Sequence, residues 1–278
     1  PTTDTTPSIT GTADDSDGTI DAVQYQMDVT TGSWSACTAD DGTFDEASEA
    51  FTCTVSPALS SGSHTIYVRV QDSASMYSSN SSDTFTLDAT APAVSTLVIA
   101  PNPGTDTTPT VTSSVVDAIS TVASVEYQVD STAGAWTTCA AGDGSFNDSS
   151  ENFSCTIPAL STDGSYVIYI KVADSLGNSS QSSSITYTLD RVAPTTPGTP
   201  LITTPTTDLT PSWSWTGSTD VGGSGVSYYA VQWCLDSSFT GCSSSVGTTT
   251  MTSFTHSYSL SSGTWYFRVQ AVDGAGNT

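Results

Sequence analysis

Carboxylates are the residues of this 278-residue chain that could do chemistry, and few cations are present to neutralise them. Twenty-eight Asp and Glu stand against four Lys and Arg, for a formal charge of -24. Oxygen donors without basic partners suit a hard divalent cation such as Ca²⁺, which takes about 6–8 oxygens from carboxylates, carbonyls and water. The same charge repels nucleic acid and anionic membrane surfaces. Catalytic patterns are missing: there is no GxSxG, no HExxH and no phosphate-binding glycine loop. Two histidines, His64 and His256, cannot furnish a general base to every repeat, so the chain reads as non-enzymatic. Six cysteines fall in local pairs, Cys37 with Cys53, Cys139 with Cys155 and Cys234 with Cys242. That spacing predicts three disulfides and an oxidising compartment. A zinc site is disfavoured because no CxxC occurs. Asn80, Asn147, Asn152 and Asn178 each open an N-glycosylation triplet, although Ser-rich sequence produces such triplets by chance.

The elements that must position these groups repeat with a period of 102 residues. Asp4-Thr-Thr-Pro7 returns as Asp106-Thr-Thr-Pro109 and then as Asp208-Leu-Thr-Pro211. Tyr25 and Tyr127, Trp34 and Trp136, and Asp88 and Asp190 fall in the same register. A unit this long exceeds the solenoid range of about 20–50 residues and can bury its own core, so each copy is expected to be a domain. The boundaries are read as 1–90, 91–191 and 192–278.

Within the second copy, β-rich runs alternate with Gly, Asp, Ser and Pro punctuation. Strands are expected at Ser95–Ala100, Thr110–Val116, Ser124–Asp130, Ala135–Cys139, Asn152–Ile157, Tyr166–Ala173 and Ile185–Leu189. Seven short strands without a helical stretch predict an all-β antiparallel sandwich. The sixth strand alternates: Tyr166, Ile168, Ile170 and Val172 face the core, while Tyr169 and Lys171 face out. Arg69, Lys171 and Arg268 are thereby placed on solvated outer sheet faces, and Arg191 lies in a linker. Trp34 and Trp136 are expected to pack in the core or on a sheet face. The first copy is expected to lack its first strand and the third its last. Pro1 matches Pro103, inside a repeat, and Thr278 stops within a motif that Ser179 continues, so the chain is expected to be a window into a longer polypeptide. No run of 18 apolar residues is present, so none of this window is expected to insert into a bilayer.

The linkers Asp88-Ala-Thr-Ala-Pro92 and Asp190-Arg-Val-Ala-Pro194 are short, and proline restricts them. In a seven-stranded sandwich the last strand of one domain ends where two loops of the next domain lie. Asp88 is therefore expected beside Asp117 and Asp174, and Asp190 beside Asp220 and Asp273. Three converging carboxylates repel, and Ca²⁺ removes the conflict. Asp15 and Asp72 would be the matching half-site at the first domain. The acidic loop bearing Asp41, Asp45 and Glu49 does not match the EF-hand pattern and is expected to be a solvated turn.

Several runs carry a family resemblance. These are Asp-Thr-Thr-Pro, the strand ending Ile-Tyr-Val/Ile, Asp174-Ser-Leu-Gly-Asn178 and the exit Leu-Asp-x-x-Ala-Pro. With them the first two copies resemble bacterial Ig-like repeats of large extracellular surface proteins. Trp213-Ser-Trp215 and the run from Gly263 to Asp273 are similar to a fibronectin type III domain. The resemblance implies tandem seven-stranded sandwiches outside the cell or on its surface. Short rigid linkers, disulfides and uniform negative charge point to a stalk, fibre or surface-layer strut, with Ca²⁺ at its junctions in a logic similar to that of cadherin-type arrays. The implied partners are neighbouring repeats of the same chain and copies of itself in a fibre or lattice. Alternatives are a filament subunit that uses strand donation, and accessory or adhesive modules of a secreted carbohydrate-active enzyme or adhesin.

Overall fold

The computed structural model describes residues 1–204, 206–243 and 245–278. The repeated Asp-Thr-Thr-Pro motif is a side-chain-closed turn: Asp4, Asp106 and Asp208 each accept, through Oδ1, the N–H and hydroxyl of the residue two further on. Each turn launches a strand. The first segment holds β1 (Ser8–Asp14), β2 (Ile20–Met27), β3 (Ser35–Ala36), β4 (Thr38–Ala39), β5 (Ser48–Thr54), β6 (Gly62–Asp72) and β7 (Ser81–Leu87). The second holds β8 (Ala93–Val94), β9 (Thr110–Val116), β10 (Val122–Val129), β11 (Thr137–Thr138), β12 (Ala140–Ala141), β13 (Ser150–Thr156), β14 (Gly164–Asp174) and β15 (Ser179–Leu189). The third holds β16 (Ser212–Ser214), β17 (Val226–Cys234), β18 (Val246–Thr249), β19 (Ser253–Thr255) and β20 (Tyr266–Asp273).

Among the described residues strand pairing is antiparallel apart from two isolated parallel bridges, Thr2 with Leu87 and Gly104 with Leu189. In the second domain one sheet runs β11-β10-β14-β15 and the other β12-β13-β9-β8. The first domain repeats this as β3-β2-β6-β7 against β1-β5-β4, and the third as β18-β17-β20 against β16-β19. Period-2 burial supplies the cores. Val122, Val125, Ile168, Ile170 and Val172 meet Val111, Val115 and Phe153 between the sheets of the second domain. Trp213, Trp215, Trp233 and Tyr229 fill the third.

Three strands differ from expectation. The expected first strand at Ser95–Ala100 is two pieces, β8 and a single bridge from Val98 to Thr112. Between them Ser113 Oγ donates to Thr96 O and Ser114 Oγ to Ser95 Oγ, so side chains replace ladder bonds. The expected strand at Ala135–Cys139 splits into β11 and β12, which belong to different sheets. Cys139 sits at the crossing, with its N–H on Val125 O and its sulfur on Cys155. The last strand starts at Ser179 rather than Ile185, because polar serines extend the half-exposed edge along β14. The disulfides Cys37–Cys53, Cys139–Cys155 and Cys234–Cys242 are formed.

Candidate metal centres at the two domain junctions

Each junction is built by a strand that ends in an aspartate. β7 delivers Asp88 and β15 delivers Asp190, and both side chains are 0% exposed. At the first junction Asp88, Asp117 and Asp174 bring carboxylate oxygens within 4.8 Å of one another, all three residues buried. At the second, Asp190, Asp220 and Asp273 approach as closely, with Asp190 and Asp273 buried and Asp220 half-buried. Asp117 follows β9, and its Oδ1 accepts the N–H groups of Ile119 and Ser120 and the Ser120 hydroxyl. Asp174 ends β14, and its Oδ1 accepts the N–H groups of Leu176 and Asn178. Asp273 ends β20 and holds Ala275 and Asn277 in the same way. These turns consume one oxygen of each carboxylate and fix the direction of the other.

An asparagine latch crosses each joint; Asn178, a sequence candidate for glycosylation only, forms the first and Asn277, not among the candidates, the second. Asn178 Nδ2 donates to Asp88 O at 3.1 Å and to Asp174 Oδ2 at 2.7 Å. Asn277 Nδ2 donates to Asp190 O at 3.0 Å and to Asp273 Oδ2 at 2.8 Å. The signal was available: both asparagines stand four residues after an Asp that closes a strand. Because its amide nitrogen makes both bonds, a glycan on Asn178 requires an open joint. Asn80, Asn147 and Asn152 are exposed, Asn152 within β13.

Unsatisfied oxygens mark where a cation fits. Asp88 Oδ2 is buried with no hydrogen-bond partner, while its Oδ1 accepts only from Thr90. A buried carboxylate oxygen left unpaired is costly. Asp88, Asp117 and Asp174 therefore fit an oxygen-preferring divalent ion, which they would hold with their carboxylates. At the second junction Asp190 is differently served. Ser224 donates its N–H at 2.7 Å and its hydroxyl at 2.6 Å to Asp190 Oδ2. Burial pushes the Asp190 pKa up, but the bonds donated by Ser224 and Val192 outweigh it and hold the carboxyl below the ordinary range. The orphan there is Asp220 Oδ1.

The remaining candidates lie elsewhere. Asp15 and Asp72 occupy the tip of the first domain, where Asp72 Oδ1 accepts the N–H of Ala74 and Met76. Met76 stands where the other domains carry the latch. The acidic loops are not merely solvated turns. Glu49 and Glu151 are buried, and each accepts through Oε1 two main-chain N–H groups of its own loop. Asp41 Oδ1 accepts from Thr43 N, and Asp45 lends its N–H to Glu49. The outer-face cations are stacked on aromatics. Arg69 lies 4.3 Å from the Trp34 ring and 4.1 Å from the Tyr77 ring, Lys171 5.4 Å from Trp136, and Arg268 4.5 Å from Phe239. Arg191 is paired with Asp163 at 2.6 Å, which ties the second linker back to the second domain.

Two sheets per segment, linked end to end by short proline-bearing linkers, define a tandem array of Ig-like and fibronectin type III-like sandwiches. Residues 100–191 match the family model of the bacterial Ig-like domain. Among solved structures, the chain is similar to the FN1-FN3 domains of chicken CNTN1, with 14% identity over 99% of this chain and 91% of that one at a TM-score of 0.40. It is also similar to domains A168-A170 of titin, with 14% identity over 99% and 91% and a TM-score of 0.41. A third likeness is to the central fibronectin-III array of RIM-binding protein, with 12% identity over 100% and 96% and a TM-score of 0.26. No curated protein matches the chain in sequence. Among the described residues no helix is long and apolar enough to cross a membrane.

Proposed function

We propose that this chain is a non-enzymatic strut within an extracellular or cell-surface protein, with Ca²⁺ stiffening its first domain junction. The observation that carries the reading is Asp88. It is a linker carboxylate, wholly buried against two carboxylates of the next domain, with one oxygen unpartnered. Ca²⁺ removes the repulsion there and clasps the end of one domain to the foot of the next. Three disulfides and the bacterial Ig-like match support an oxidising, extracellular setting. Uniform negative charge keeps such a strut soluble. Calcium titration by calorimetry and melting in EGTA test the reading. Measurable heat and a lower melting temperature without the ion are expected. No heat and an unchanged melt would remove it.

One observation favours a second reading, a filament subunit. A groove lined by Ile9, Phe51, Ile66, Val68 and Val70 opens beside the edge of β1. A strand from a second copy would close that edge. Polymer growth with concentration in sedimentation velocity would support it, and a monomer at all concentrations would exclude it.

A further inference from the structure

The two junctions are not equivalent, and the difference lies in one loop. Val221-Gly-Gly-Ser-Gly225 of the third domain folds over its acidic cluster, with positive φ at Gly222 (83°) and Gly225 (79°). A left-handed backbone is open to glycine without steric cost. The fold turns main-chain N–H groups onto the carboxylates: Ser224 N–H reaches Asp190 Oδ2 and Gly225 N–H reaches Asp220 Oδ2, both at 2.7 Å. The loop lies so close that a methyl group on Gly223 would stand 2.7 Å from Asp190 Oδ2. Ser224 then joins three elements. Its N–H and hydroxyl bind the linker carboxylate, and its oxygen accepts Ala275 N–H from the loop after β20 at 3.0 Å. At the first junction nothing in the second domain donates to Asp88 Oδ2.

We infer that Ser224 does at the second junction what a divalent cation does at the first. It holds the linker carboxylate to the tip of the next domain, so the first joint depends on the ion and the second does not. This inference rests on the cation reading of the first junction. Asp220 Oδ1 still lacks a partner, but Asp220 belongs to the third domain alone, so an ion bound to it is not needed to hold the linker. The Arg191–Asp163 pair also ties this linker back to the second domain without an ion, where the first linker has Ala89.

The test uses the full chain with spin labels on unnatural residues at exposed sites, one pair spanning each joint, and distances read with Ca²⁺ and with EGTA. The expected result is loss of the single sharp distance across the first joint in EGTA, while the second keeps its distance. S224A removes the hydroxyl that makes two of the three bonds, and it should transfer ion dependence to the second joint. S224T should restore independence. Equal broadening of both joints in the unaltered chain overturns the inference, as does an S224A joint that stays sharp in EGTA. Those outcomes leave the cation reading standing. If calorimetry detects no Ca²⁺ binding and the first joint ignores EGTA, the cation reading itself falls and takes the inference with it.

Discussion

The first and second domains are built on the same register, yet one core is sealed and the other is not. In the second domain Val111, Ile170 and Val172 are 0%, 1% and 1% exposed. Their counterparts Ile9, Val68 and Val70 are only half-buried. Two differences explain this. Val94, Leu97 and Ile99 lie over the second core, and no described segment does so in the first. Ile185, paired with Ile168 on the edge strand, is replaced by Asp83, paired with Ile66. A sandwich of this kind is sealed by its first strand and its edge residues, more than by the central strands that carry most of its sequence signal.

The largest expected effect concerns the disulfides, which are matched: Cys37–Cys53 and Cys139–Cys155 both span 16 residues. Replacing either pair by alanine should cost about 3 kcal/mol under the chain-entropy view. The loss should be fatal first in the open domain, which has less burial in reserve. Hydrogen exchange of the intact chain, followed by mass spectrometry, would resolve each domain. If the second domain lost protection before the first at equal loss of disulfide, the contrast in sealing would be wrong. Next in size are two valines at the same position. Val172→Ala should cost about 2 kcal/mol, from two buried methyl groups and the cavity they leave. Val70→Ala should cost roughly half as much or less, because water already reaches that side chain. Equal costs, read as protection in β14 and β6, would break the comparison.

How much of this was legible in the sequence depends on the kind of interaction. Strand alternation and the Asp-Thr-Thr-Pro turns are local, so the sandwich could be read directly. The meeting of Asp88 with Asp117 and Asp174 followed from topology, because strand ends and loops of successive domains share one face. The split first strand was hidden because hydroxyls of Ser113 and Ser114 replace ladder bonds, and serine gives no periodic signal. The sheet switch at Cys139 likewise leaves no trace in hydrophobic pattern. Ser224 could not be read, since its role depends on how Gly222 and Gly225 turn the backbone. Asn178 stands within the Asp174-Ser-Leu-Gly-Asn178 motif, but its bond to a carbonyl 90 residues away needs the joint itself.

The smallest effect separates the domains by pH. Each domain has a ring donor on a carbonyl four residues earlier: His64 on Ser60 O at 2.7 Å, Tyr166 on Thr162 O at 2.6 Å and Trp265 on Ser261 O at 2.9 Å. Only His64 titrates near neutrality. Its other nitrogen lies 2.8 Å from Asp28 Oδ2, so both nitrogens face acceptors and the imidazolium is favoured. The bond to Ser60 O and then the Asp28 carboxylate raise its pKa above the ordinary value of 6.5. A raised histidine pKa stabilises fully below the unfolded value and ceases to do so as pH climbs through the folded one. The first domain should therefore be firmer at pH 6 than at pH 8, and His64→Tyr should flatten that slope towards the second domain's. His256 has the opposite sign. It is 3% exposed among Trp213, Trp233 and Phe254, and burial lowers its pKa below 6.5. Its contribution is complete above the unfolded value and fades as pH falls below it. Mild acid should thus strengthen the first domain and weaken the third, with the second changing least. Domain-resolved exchange at two pH values, corrected for intrinsic rates, reads all three at once, and a common slope would refute the assignment of both histidines.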